Sequence, residues 1–330
     1  MRNILCVTLI ALLGGCTSTS VTEKYQDKRN DIINVKDKVI EFETGNVLIG
    51  SVSRLYMSNK CLLIADHKSV DKQIHIFNKN DFSYLTSIGN FGEGPEEITV
   101  MGCLAIDEAH HQLYVSDHAK QKIFSYDMDS VMVDSLYKPQ VKTAMNETLF
   151  PSEYQYINDT LSIAVLIKPT STSTFNQFLG RWNMNTGEMI PMKYTHPDIQ
   201  KKRITFAASE KAGIYVECYT RHDLMTICSL DGELLYNIYG PDWDGGNGNK
   251  LQSFGTVMIG NDKIFVSYCG EDYARDSFPT KILVFDLEGN YLKTLETGYK
   301  ISDCCYDSFN NRIILSLNDV VQFAYLDIDG

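Results

Sequence analysis

Two Asp-His pairs, Asp66-His67 and Asp117-His118, are the most openly chemical residues of this chain. A carboxylate beside an imidazole can work as acid and base, and two converging pairs could ligate a divalent metal. Asp also commonly opens a turn at a strand end with its neighbour incidental, and that plainer reading is favoured. A second polar group comprises Glu217 and, a few positions on, Arg221, His222 and Asp223. In the repeat described below, Glu217 takes a place otherwise held by small residues, where a carboxylate is costly unless solvated or paired. Loop charges facing water are the plainer alternative.

A third group is Asp242-Trp243-Asp244-Gly245-Gly246-Asn247-Gly248-Asn249, where Asp242, Asp244 and Asn247 have the close oxygen spacing of a calcium loop. It lacks the closing bidentate Glu, so calcium or another divalent metal is a weak expectation, and no other cofactor is expected. Trp243, with Tyr273, Phe278 and Tyr299, could present an aromatic surface to a sugar ring or a partner protein, although packed aromatics are commoner. The candidate ligand contacts are therefore Asp66, His67, Asp117, His118, Glu217, Arg221, His222 and Trp243, with no catalytic set assigned.

Elements that could position these residues recur along the chain. A strand reading apolar, apolar, apolar, small appears at Leu62–Ala65 and Leu113–Ser116, and by pattern at 161–164, 214–217, 264–267 and 313–316. Its second positions fall at 63, 114, 162, 215, 265 and 314, giving gaps of 51, 48, 53, 50 and 49 residues. A period of this size marks repeats too small to bury their own apolar surface. Asn-, Asp- or Gly-bearing turns precede most copies, and a third strand, a second turn and an outer strand follow. The sequence predicts an all-β fold, a six-bladed β-propeller with four antiparallel strands in each blade. The sixth copy ends after its third strand, and Val39-Ile40-Glu41-Phe42 is an orphan strand ahead of the first blade. Pairing the two closes the ring and removes an edge.

In a propeller the first-to-second and third-to-fourth connections share one face, and here they read as uniformly short. The other connections read as long, at 89–97, 138–150, 168–177, 193–203, 240–253 and 269–281. Long loops on one face of a rigid scaffold are where binding is usually built.

The run Ile88-Gly89-Asn90-Phe91-Gly92-Glu93-Gly94-Pro95-Glu96-Glu97 resembles the G-x-x-G-x-G-P-x-E connector of bacterial six-bladed propeller lipoproteins of the TolB-like or NHL-like kind. Leu113 to His118, continuing through Lys122 to Asp127, resembles an NHL repeat core. The resemblance covers residues 36 to 330 as architecture, with sharp motifs only in blades one and two. It implies a lipid-anchored propeller with binding or assembly roles, and NHL-like lactonases and lyases with a channel metal; it supplies no catalytic residues. The G-x-x-G-x-G at 89–94 is read as a turn between blades rather than a phosphate loop, since Pro95, two glutamates and a strand follow in place of a helix.

The first sixteen residues read as an export signal: Arg2, an apolar run from Ile4 to Leu13, then Leu13-Gly14-Gly15-Cys16. The run is shorter than the about 20 residues a spanning helix needs. Cys16 after Gly-Gly resembles a lipobox, whose thiol is acylated, and this is favoured over an ordinary secretory signal. Residues 17–36 are polar and read as a flexible tether, leaving 37–330 as the propeller. No acidic run follows Cys16, so a periplasm-facing, lipid-anchored place in the bacterial cell envelope is expected.

The formal charge of −12 makes nucleic acid a poor partner. Seven cysteines remain beyond Cys16, an odd number, mostly in apolar runs where a free thiol acts as a small hydrophobe. The function expected is a non-catalytic module holding a peptide, a glycan or an envelope protein on the long-loop face. The alternative is a metal-dependent hydrolase or lyase at the channel mouth, built from Asp66, His67, Asp117, His118 and Glu217.

Overall fold

In the computed structural model, which describes residues 22–328 except 135, 172 and 247–249, each repeated strand is the second of four in an antiparallel sheet. Blade 1 is typical, with strands Ser53–Met57, Cys61–Asp66, Lys72–Asn78 and Tyr84–Asn90 running from the channel outward. Leu63 and Ala65 pack toward blade 2, whereas Leu62 and Ile64 pack toward blade 6. A strand buried on both faces reads as an unbroken apolar run rather than an alternation, which explains the repeated signature. Six apolar clusters fill the six seams between neighbouring blades, and the seams carry the core. The protein is a six-bladed β-propeller.

Closure follows the expected exchange. Phe323–Asp327, the third strand of blade 6, pairs antiparallel with Ile40–Glu41, placing Ala324 opposite Glu41 and Tyr325 opposite Ile40. Phe42 extends the pairing and stacks on Phe82 of blade 1 at 3.9 Å between ring centroids.

Two expectations need correction. Residues 17–36 are not a flexible tether over their described part. Glu23–Tyr25 adds a fifth strand to blade 4, parallel to Leu234–Tyr239, and Ile32–Asn34 does the same on blade 5 against Tyr291–Glu296. Between them, Arg29 enters the seam between blades 4 and 5. Its guanidinium binds Asp223 at 2.7 Å, with both side chains buried, and lies over Phe254, Tyr268 and Phe285. An edge strand held by backbone hydrogen bonds needs few apolar residues, so composition did not reveal this arm.

The second correction concerns 138–150, expected as a long loop. Gln140–Ala144 is the outer strand of blade 2, reached by a twelve-residue connection (128–139) that includes the short helix Met128–Val131. The connections of the short-turn face are therefore not uniformly short. Gln140-Val141-Lys142-Thr143-Ala144 has one large apolar residue, enough for an outer edge strand but too few to read as one.

Candidate functional site: the central channel and its loop face

The innermost strands enclose a channel of about 1420 Å3 running through the ring. Its wall is not uniformly apolar. Arg54 of blade 1 reaches Glu153 of blade 3 at 2.8 Å, an ion pair crossing the lumen. Asp303 of blade 6 accepts hydrogen bonds from the Leu55 amide (2.8 Å) and from Thr256 Oγ1 (2.7 Å), tying blades 5, 6 and 1 together. Burial raises the Asp303 carboxyl above its ordinary value. A charged residue inside a strand that precedes each apolar run was the available signal for Arg54, Glu153 and Asp303, and sequence reasoning missed all three.

The two Asp-His pairs divide. Asp66 accepts from the Gly50 amide (2.7 Å) and the Lys68 amide (2.9 Å). Asp117 accepts from the amides of Thr99, Val100, Ala119 and Lys120 at 2.8–3.2 Å. Both carboxylates thus fasten connections between strands. His67 and His118 line the channel near its loop-bearing mouth, and Nε2 of each is buried without a hydrogen-bond partner. Burial pushes both imidazoles below their ordinary value, with Arg54 adding to the effect at each.

Glu217 lies elsewhere, in the seam between blades 3 and 4. Its carboxylate binds Lys202 Nζ at 2.9 and 3.2 Å and accepts from the Tyr219 hydroxyl at 3.0 Å. Arg221 packs over Tyr273 at 4.2 Å from the ring centroid. His222 is buried against Tyr219 and Trp243, with Asp244 3.9 Å from its Nδ1. The geometry does not bring Glu217 together with Arg221 and His222, nor with the two Asp-His pairs.

Trp243 is half-buried, 5.0 Å from Tyr239 and 5.7 Å from His196 between ring centroids, so it joins the blade 3–blade 4 packing. The Asp242 amide donates to Asp223, and its carboxylate accepts from the Tyr268 hydroxyl at 3.4 Å. Asn247 and Cys16 lie outside the described residues. Among the described residues, the one cluster with metal-ligand spacing is a different one: Asp107, His110 and Asp159, on the short-turn face. Asp107 there caps its own turn, as Asp307 does with Asn310 in blade 6.

The Gly-rich connector closes on itself. Glu97 folds back so that its carboxylate accepts from the Gly94 amide at 2.8 Å, and a Cβ at Gly92 would stand 2.0 Å from Glu97 Oε2. Lys120 from the next blade donates to the Gly94 carbonyl at 2.6 Å. The amide end of the loop already holds a carboxylate. It is an interblade clasp rather than an anion cradle.

All seven described cysteines are free and buried. Cys218 and Cys228 face opposite sides of blade 4, one in each flanking seam.

A six-bladed propeller with a polar channel opening among its longer loops is the class that this fold and site define. Comparison agrees on the fold. A family model described as a 6-bladed beta-propeller, DUF5128, matches residues 17–176, the part that carries the arm, blades 1 and 2 and the start of blade 3. No curated protein matches the chain. Among solved structures, a Bacteroides fragilis NCTC 9343 protein inferred to be exported is 14% identical, with a TM-score of 0.57 over 89% of this chain and 87% of its own. A member of the DUF4221 family from Bacteroides vulgatus ATCC 8482 is 10% identical, with a TM-score of 0.61 over 88% and 95%. The Cps50 (Swd1) β-propeller domain of Myceliophteria thermophila is also 10% identical, with a TM-score of 0.56 over 88% and 100%. At such identities the likeness concerns the fold alone.

Proposed function

We propose that this protein is a non-catalytic binding module of the bacterial cell envelope, anchored through an acylated Cys16 and holding a partner protein on its loop face. A peptide or a glycan is the smaller ligand that the same face would take. The observation carrying this reading is a set of exposed apolar side chains in neighbouring loops of the loop face. Leu48, Val70 and Val320 are 94%, 81% and 100% exposed, in the loops that join or cap blades 6 and 1. Phe91 and Val100, half-exposed, continue the set toward blade 2 beside His67 and His118. Apolar side chains exposed in adjacent loops of one water-facing surface are candidates for an interaction site. The main carboxylates near the channel are engaged with backbone amides, a hydroxyl or Arg54, which supports binding over acid-base chemistry. The exported Bacteroides relative is consistent with an envelope location.

The reading is tested by photo-crosslinking in a bacterial host. A benzoylphenylalanine placed at Phe91 or Val320 should give discrete protein adducts, and one at Phe309, on the opposite face, should give none. Adducts confined to Phe309, or none from the loop face, would overturn it.

A further inference from the structure

The twelve-residue connection of blade 2 has a structural product of its own. The corresponding connections of blades 1, 3, 4 and 5 take four to six residues between strands. In blade 2 the added residues turn through the helix Met128–Val131, which Asp127 caps by accepting from the Ser130 amide. Tyr137 then returns to pack on Tyr126, and its hydroxyl accepts from the Asp127 amide at 3.2 Å. Both contacts fix the N-terminal end of the helix, and Val131, buried in the blade 1–blade 2 seam, holds it over the lower end of that seam.

Beneath it lies a cavity of about 550 Å3, which shares Ile106 and Glu108 with the channel wall and opens on the short-turn face. Cys61, Leu63, Ile106 and Leu113 belong to the seam and line it, while Leu85 comes from the outer strand of blade 1. Met128 and Met132, both from the added connection, complete the apolar lining. The rest of its lining is polar, with Lys60, Asn59, Ser58 and Asn78 from blade 1, and Asp107, Glu108, Gln112 and a His111–Asp129 pair (2.7 Å) from blade 2. An apolar chamber of several hundred cubic ångströms with a few polar groups at the entrance is the usual form of a small-molecule site. Two methionines give its wall the adaptability that such sites use.

We propose that this cavity is a second binding site, for a compact, uncharged aromatic molecule with one hydrogen-bonding group. The apolar body would replace water against Leu63, Leu113 and the methionines, and the polar end would stay at the rim. Each carboxylate at the cavity is already engaged, Glu108 by the Asn59 amide, Asp107 by His110 and Asp129 by His111, which favours a ligand without net charge over a cation. The site is independent of the loop-face reading, because the two open on opposite faces.

Indole and p-cresol are the probes, added to the full mature chain carrying 13C-labelled methionine methyl groups. The expected result is saturable, selective movement of the Met128 and Met132 methyl signals, while Met101 and Met258, which line the channel, stay in place. Leu85→Trp, filling the cavity from its half-exposed side, should weaken binding by about tenfold or more, and Met132→Trp serves as a second filling variant. Ile190→Trp, the same change on the outer strand of blade 3, should leave binding unchanged. No saturable shift with either probe, shifts at Met101 and Met258 instead, or equal binding by the filled variants would overturn the proposal.

Discussion

Lys202 and Glu217 are both nearly inaccessible to water, and each is the other's ionic partner. Removing one charge strands the other, whereas neutralising both leaves no buried charge without its partner. Lys202→Met should therefore cost about 3–5 kcal/mol in urea unfolding, and adding Glu217→Gln should recover much of that loss. The Gln keeps an acceptor for the Tyr219 hydroxyl. The sequence singled out Glu217 as a carboxylate that had to be solvated or paired, and it is paired. It could not name the partner, because Lys202 comes from a loop fifteen residues earlier that only the packing of blade 4 brings back.

His110 carries a pH dependence at the same scale. The hydrogen bond and charge of Asp107, with Asp159 nearby, raise its imidazole above 6.5. A base with a raised folded value contributes stability fully below pH 6.5 and loses it as pH rises through that value. The wild type should thus lose a small advantage over His110→Gln between pH 6 and 8, read as the difference in melting temperature. His67 and His118, lowered by burial, should titrate below 6.5 by NMR. Chain order does not distinguish these histidines, since Asp precedes two of them directly and the third at i−3; burial does.

At the scale of elements, the N-terminal arm does two separable jobs. Ile40–Glu41 completes blade 6, and the strands before it cover the outer edges of blades 4 and 5. A chain begun at Lys36 keeps the closing strand and should still unfold in one transition with a lower midpoint. A chain begun at Thr44 exposes the edge of Phe323–Asp327 and should unfold earlier still and aggregate. Arg29→Ala alone should lower stability by about 3–5 kcal/mol, since Asp223 then stays buried without its cation. The closing strand was legible because a blade one strand short demands a partner. The two preceding strands were not, because Glu23-Lys24-Tyr25 and Ile32-Ile33-Asn34 are three residues each, complete no blade that lacks a strand, and are held through their backbones.

For the whole molecule, the arm sets how the ring would stand on a membrane. Six peptide steps separate Cys16 from Thr22, a reach of about 20 Å when extended. An acyl anchor on Cys16 would then hold the rim of blade 4 close to the lipid surface. Blade 1, diametrically opposite in a ring of six, would stand farthest from it, together with Leu48 and Val70. Cys16→Ser should move the protein from the membrane to the soluble fraction without changing its melting temperature. Continued membrane association of that variant would refute anchoring through this residue.

What the sequence determined by itself was everything that repeats. Six doubly buried strands at a near-constant period impose a closed ring, because each blade can bury its apolar faces only against its neighbours. A last blade one strand short also determined how the ring closes. Only the tertiary structure decided which polar residues meet. Arg54 and Glu153, Arg29 and Asp223, and Lys202 and Glu217 are joined by the folding of the ring rather than by any spacing along the chain. Partner choice for a charge depends on three-dimensional distance and on local burial, and neither has a period that a sequence can display.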